Sequence, residues 1–365
     1  MGWAALSELV PYYPLYALLF LDTGLSDAQI SVLFGIWSVT ALLTEVPAGA
    51  LADRWSRRGA VVLASVLQAV AFVVWTAAPG FSAFAVGFVI WGVGGAFASG
   101  ASEALVHDGL AAVGAEGSFG RVYGWMTSAE LLVQVPTAFA ASALYVVGGY
   151  DLVGWASVVA CLAAAALATR FPEAPRLPDD DEDAPPLRAG AIEALRRPAL
   201  RVAVPAVALI GGLDAVEEYF PVLAAEQGVP ATAVPFAVLG IALAGALGAS
   251  LGGRLPARML QVLLGAAGGC LVVAAVSPAV VVLVMVGVFY ALYLAVLVAA
   301  EAQLQARITG PYRATLTSVA GLGTELAALL VFAAWALGGV AAMAALVLAV
   351  VPVAALGLRT PAERL

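Results

Sequence analysis

Long apolar runs, each ended by a proline, a glycine pair or a charged turn, recur along the whole chain. A helix crossing about 30 Å of hydrocarbon needs about 20 mainly apolar residues. Runs of that length lie at 3–21, 29–51, 60–78, 81–106, 121–147 and 152–170, and again at 199–224, 232–253, 259–276, 279–305, 313–335 and 337–357. The pattern predicts an all-α membrane protein with twelve transmembrane helices. The first run starts almost at Met1 with no basic residue before it, so it reads as a retained helix and not a cleaved signal. Between the sixth and seventh runs the pattern stops. Residues 171–198 carry Pro178, the acidic run Asp179 to Asp183 and the pair Pro185-Pro186. That stretch has too little apolar area to fold and is expected to be a flexible linker. Within it, Leu187 to Arg197 could lie on the membrane as a short helix, with Leu187, Ile192 and Leu195 facing down. The domains are therefore a six-helix bundle over 1–170, a linker over 171–198 and a second bundle over 199–365.

Charge orients these spans. With the amino terminus inside, the inner loops hold Arg54, Arg57 and Arg58, then Arg121, then Arg170, Arg176, Arg188, Arg196, Arg197 and Arg201. The later inner loops hold Arg254, Arg258, Arg307, Arg313, Arg359 and Arg364, which completes the 16 basic residues. The opposite loops, near Asp22, Pro79, Gly149, Glu226, Pro278 and Leu337, contain none. One missed helix would scramble this separation, so both termini are expected in the cytoplasm, with the protein multi-pass in the cell (inner) membrane. Composition agrees: 63% of residues are hydrophobic and 11% charged, against about half and a quarter in soluble proteins. The net charge of −8 comes partly from the acidic linker and does not point to nucleic acid. Cys161 and Cys270 fall inside apolar runs and read as small buried residues. His107 is the single histidine, so no metal or cofactor site is expected. The absence of Lys and Asn beside abundant Ala and Arg points to a GC-rich bacterial coding sequence.

The turn after the second span, Gly49-Ala50-Leu51-Ala52-Asp53-Arg54-Trp55-Ser56-Arg57-Arg58, resembles the loop signature of the major facilitator superfamily. That signature reads Gly-x-Leu-(Ala)-Asp-Arg-x-Gly-Arg-(Arg/Lys), so Ser56 stands where the family usually has Gly. The preceding Glu45-Val46-Pro47 is similar to a variant common in bacterial members. The halves echo each other. Ala249 to Arg258 matches the signature at a constant shift, keeping Leu251, Arg254 and Arg258 but with Gly253 in place of the acid. Tyr12-Tyr13-Pro14 is echoed by Tyr219-Phe220-Pro221, Glu103 by Glu301 and Glu130 by Glu325. Parallel six-helix repeats with a binding site between them are the architecture expected of secondary transporters.

Nine acids sit within the spans: Glu8, Glu45, Glu103, Glu130, Asp214, Glu217, Glu218, Glu301 and Glu325. The third, sixth, ninth and twelfth spans have none, and neither has the eighth. A charge facing lipid costs at least about 2.5 kcal/mol, so the silent spans are the natural lipid-facing ones. No Arg shares the depth of these acids, and an apolar setting disfavours a bare carboxylate. Each is expected to hold a proton or attract a cation. Glu130, Asp214, Glu217 and Glu325 lie deepest and are the coupling or substrate candidates, with Glu8 intermediate and Glu218 able to point away. Tyr12, Tyr13, Tyr16, Trp91, Tyr219, Phe220, Phe289, Tyr290 and Tyr293 share the central spans. They either face an amphipathic cation or simply pack. Glu45 and Glu103, near the inner ends, are expected to join Asp53 and Arg121 in a charged network closing that side. His107 and Asp108 read as loop-end polar groups.

The resemblance implies that Gly49, Asp53, Arg54, Arg57 and Arg58 form the inner gate, with Asp53 facing the start of the eleventh span near Tyr312 and Arg313. It places the chain in a drug-efflux-like branch, with two departures. The family's fourth-helix Arg has no counterpart near Phe88 or Ile90, and Val135-Pro136 replaces the Gly-Pro of drug antiporters. The leading expectation is a secondary active transporter, exporting small amphipathic or cationic compounds in exchange for protons. A symporter or facilitator for a neutral nutrient is the alternative, and a membrane receptor or assembly protein a second. An enzyme is not expected, since no nucleophile–base spacing or phosphate-cradling loop is present. The partners expected are a small-molecule substrate, protons and lipid, for a monomer.

Overall fold

The computed structural model describes residues 1–173, 196–308 and 313–358. The acidic run, most of the stretch from Leu187 to Arg197, Tyr312, Arg359 and Arg364 lie outside the described residues, as does the Arg313 side chain. Every described element is helical. In order they are α1 (Gly2–Glu8), α2 (Tyr16–Asp22), α3 (Asp27–Arg54), α4 (Arg57–Ala77), α5 (Phe81–Ala111) and α6 (Phe119–Ala168), with a short 3-10 turn before α6. There follow α7 (Pro198–Gly212), a 3-10 segment (Leu213–Tyr219), α8 (Phe220–Glu226), α9 (Val234–Gly252), α10 (Ala257–Ala275), α11 (Ala279–Arg307) and α12 (Arg313–Leu358). Among the described residues, 8 of these helices are long and apolar enough to cross a membrane.

Two expected spans are interrupted. The first breaks between Glu8 and Tyr16, where Pro11 and Pro14 remove backbone donors and cannot continue the helix. The freed groups find partners elsewhere: Tyr12 N donates to Ser157 Oγ at 3.0 Å, and Thr137 Oγ1 donates to Glu8 O at 3.4 Å. The seventh narrows to a 3-10 segment at Leu213–Tyr219 and resumes with Pro221 in its first turn. These interruptions fall on the echoed Tyr-Tyr-Pro and Tyr-Phe-Pro stretches.

Two other pairs of expected spans are each one long helical element with a sharp break. Gly148 and Gly149 interrupt α6, with Gly149 at φ +58°, and Gly338 and Gly339 interrupt α12, with Gly339 at φ +52°. Only glycine takes that left-handed conformation freely. Straight, the 50 residues of α6 would run about 75 Å, more than twice the hydrocarbon core of a bilayer. Thr137 before the break and Ser157 after it both reach the Glu8–Tyr12 stretch, so the two legs lie side by side as a hairpin.

Helix starts follow local sequence. Ser26 and Gln29 form a capping box on α3, and Ser56 Oγ accepts from Gly59 N at 2.8 Å to start α4. The Ser that departs from the family signature therefore serves as a cap.

The chain divides into two compact units. The first comprises Met1–Asp179 with Val229–Phe236, the second Asp180–Gly228 with Ala237–Leu365. At the centre of the first, Tyr16, Phe20, Phe34, Phe72, Trp75, Phe84 and Phe88 pack edge-to-face and tilted, and all are buried. Trp75 is held by its indole N–H on Phe84 O at 3.1 Å. In the second, α7 lies directly on α12. A Cβ at Gly212 would come within 2.8 Å of the Ala327–Ala328 backbone, and one at Gly357 within 2.7 Å of Val202 O. Arg307 ties the end of α12 by donating to Gly357 O and, at 2.9 Å, to Leu358 O. Both cysteines are free.

Candidate functional site at the interrupted helices

In the second unit, the passage from α7 into the 3-10 segment sets the chemistry. Residues three apart in a 3-10 segment stand on one side, so Asp214 and Glu217 project together, while Glu218 takes a different side. Asp214 is half-buried and Glu217 exposed. Tyr290 of α11 brings its hydroxyl to both, 3.2 Å from Asp214 Oδ1 and 3.1 Å from Glu217 Oε2. One turn on, Tyr293 Oη donates to Ile210 O at 3.0 Å, where α7 gives way to the tighter segment. Glycine fixes the Tyr290 ring. A Cβ at Gly245 of α9 would stand 2.5 Å from Tyr290 Cδ1.

A phenol has one hydrogen and donates to one carboxylate at a time. The second contact becomes a hydrogen bond when the other carboxyl carries a proton and donates to the phenol oxygen. The three groups are thus mutually satisfied when the two acids hold one proton between them.

The expected lining tyrosines are largely packed. Tyr12, Tyr219 and Tyr293 are 0% exposed, and Tyr16 and Tyr290 are 5%. Tyr12 is closed in by Phe72 and Trp75, with its hydroxyl on Thr76 Oγ1 at 3.0 Å, and Tyr219 stacks on Trp335 with centroids 4.2 Å apart. Tyr290 puts its hydroxyl on two of the candidate carboxylates, Asp214 and Glu217. Three half-buried rings of the first unit, Tyr13, Trp91 and Trp37, stack in series, with Gln68 Nε2 donating to Tyr13 Oη at 2.7 Å. Trp37 and Gln68 had no sequence signal beyond residue type. Glu8 ends α1 and Glu130 is half-buried on the first leg of α6. Glu325 is half-buried and follows Thr324, against which Gly211 of α7 packs.

The charged network of the first unit has a different membership from that expected. Arg57 Nε donates to Asp53 Oδ1 at 3.1 Å, and Arg57 also pairs with Asp108. Glu103 accepts from Tyr123 Oη at 2.7 Å instead of joining Asp53, while Glu45 and Arg121 are exposed, as is Arg54. Arg58 donates to Phe171 O at 3.1 Å and lies 3.7 Å from Glu173. Gly49 has open space around it. Asp108, read from sequence as a loop-end group, is the more shielded of the two partners of Arg57. Its position one turn beyond Glu103, at the same end as the basic turn, was the available signal.

Exposure ranks the two pairs. The Asp108 side chain is 12% exposed and that of Asp53 56%. Arg57→Gln should destabilise the protein by roughly 1–3 kcal/mol, because it strands a shielded carboxylate. Asp53→Asn should cost under about 1 kcal/mol, as for a solvated pair. Thermal unfolding of both variants checks this, and equal losses would contradict the ranking.

Solved structures share this architecture over nearly the whole chain. A bacterial homolog to the human lysosomal transporter Spinster, in an inward-facing and occupied conformation, aligns with TM-score 0.74 at 16% identity, covering 97% of this chain and 93% of that one. A D-xylose-proton symporter aligns with TM-score 0.72 at 13% identity, covering 96% and 95%. A mutant of the nucleoside transporter NupG aligns with TM-score 0.73 at 12% identity, covering 97% and 96%. At such identities the likeness shows the fold. No curated protein matches the chain. The interrupted helices, the helices broken at glycine pairs and the basic turn thus lie on a shared multi-pass scaffold. Residues 2–332 match the family model described as the Major Facilitator Superfamily, and this chain belongs to that superfamily.

Proposed function

We propose that this chain is a proton-coupled secondary transporter that exports small amphipathic or cationic compounds by alternating access. The observation that carries the reading is the single Tyr290 hydroxyl set between Asp214 and Glu217 at 3.2 and 3.1 Å, on an interrupted helix. Non-helical backbone within a bilayer is tolerated where protein or a wet cavity surrounds it, and such breaks recur where transporters hold ions and substrates. A proton shared by two acids can be exchanged for a cation without moving any other charge.

The reading takes twelve crossings: α1 with α2, then α3, α4, α5, the two legs of α6, α7 with α8, then α9, α10, α11 and the two legs of α12. Both termini are cytoplasmic by the arginine distribution, in the inner membrane. The paired Asp53, Arg57 and Asp108 belong to the cytoplasmic gate.

Inverted vesicles containing the purified protein test this. An acid interior should drive uptake of tetraphenylphosphonium, a lipophilic cation, and a protonophore should collapse it. Uptake indifferent to the gradient would sink the coupling. Movement of neutral solutes alone, down their own gradient, would support a facilitator instead.

A further inference from the structure

The rings of the first unit form two layers of different character. The rear layer around Trp75 is closed, and its one indole N–H is spent on Phe84 O. The front layer is Tyr13, Trp91 and Trp37. Tyr13 and Trp91 are parallel within 6° at 5.8 Å, and Trp91 and Trp37 lie 5.1 Å apart at 29°. All three are half-buried.

We propose that Tyr13, Trp37 and Trp91, with Gln68 beside them, form a subsite for a flat, π-rich part of the substrate that carries hydrogen-bond acceptors in its ring plane. The proposal rests on the transporter reading. Neither Trp37 nor Trp91 gives its indole N–H to a protein acceptor among the described residues, and neither nitrogen is among the buried atoms left without a partner. Both donors are therefore accessible. Gln68 commits its amide nitrogen to Tyr13 and leaves its carbonyl oxygen available.

Depth decides what these groups face. Trp37, Gln68 and Trp91 each lie about three turns inside their helices, roughly 15 Å from an end. That is too deep for an interfacial aromatic belt, whose polar tips rest among headgroups. Acyl chains offer no partner to an indole N–H or an amide oxygen, and such groups turned to lipid would be costly. A ligand stacked on the ring faces, with acceptors reaching the indole edges, satisfies both the faces and the donors.

Equilibrium dialysis of the full-length protein in nanodiscs at fixed pH tests the subsite. The probes are caffeine (flat and neutral) and 4-aminoquinoline (flat and cationic), against D-xylose and tetramethylammonium, which have no aromatic face. The flat probes should bind and the other two should not. Trp37→Phe and Trp91→Phe keep a ring and lose the N–H, and should weaken caffeine binding about three- to tenfold. Trp37→Leu and Trp91→Leu should weaken it at least about tenfold. Trp155→Phe, on an exposed residue of α6, should change nothing. Equal binding of flat and non-flat probes, failure of caffeine to bind, or wild-type affinity in both Phe variants would overturn the proposal. Caffeine binding in a protein that ignores a pH gradient would remove the coupling and leave the subsite standing. Gradient-driven transport with unchanged caffeine affinity in the Trp variants would do the reverse.

Discussion

Asp214→Asn combined with Glu217→Gln should reduce uphill, gradient-driven transport to background while leaving folded protein in the membrane. Both substitutions keep size and hydrogen bonding and remove the ability to exchange a proton, so binding and downhill exchange should persist. Each single variant retains one acid beside Tyr290 and should keep partial coupling. Tyr290→Phe is the more diagnostic change. It deletes the donor shared by the two acids, a charge-assisted bond worth about 1.5–3 kcal/mol, or about one to two decades in an equilibrium constant. The two acids then lose the hydrogen bond they share, and the pH profile of uphill transport should depart from that of the wild type. Proton-driven flux measured across pH in vesicles decides the matter. A double variant that still concentrates substrate, or a Tyr290→Phe profile that overlays the wild type, would refute the shared-proton site.

Gly248→Val should be the most damaging single substitution for folding. A Cβ there would stand 1.8 Å from Ala291 O, and the obstacle is helix backbone, which cannot swing aside. Separating α9 from α11 forfeits their close contact, and overpacking of this kind costs typically about 1–3 kcal/mol or more. The better helix propensity of a non-glycine residue offsets under about 1 kcal/mol. Gly245→Ala makes a subtler test. Its added methyl meets the edge of the Tyr290 ring, 2.5 Å away, which can rotate. That variant should keep most of its thermal stability and lose proton coupling as the hydroxyl leaves the carboxylates. Loss of stability without loss of coupling would show that Gly245 serves packing alone.

Much of the architecture was readable in the chain. Apolar length located the long helical elements, and the glycine pairs at 148–149 and 338–339 fall where spans were expected to meet. The interruption of the first and seventh spans was not anticipated, although Pro11, Pro14 and Pro221 were in view. A proline kink and a full break differ in whether neighbouring helices supply the missing partners, and Ser157 and Thr137 are far away in sequence. Within the site, Asp214, Glu217 and Tyr290 were named because intramembrane acids are rare and costly. The burial of Tyr12, Tyr219 and Tyr293 was not legible, since it depends on the direction each ring takes after the helices pack. The same uncertainty hid Trp37 and Gln68. The partner of Arg57 was missed because exposure, which favours Asp108 over Asp53, has no trace in residue spacing.

The gap between α1 and α2 also bears on biogenesis. Tyr12 N pairs with a hydroxyl 145 positions later, so this segment cannot complete its own hydrogen bonding until the stretch that carries Ser157 has been made. Until Ser157 is made, those amides must stay hydrated or be sheltered by the insertion machinery. Truncated nascent chains ending before Ser157 should therefore show the amino-terminal segment extractable from the bilayer, and chains extending well past it should show it locked in place.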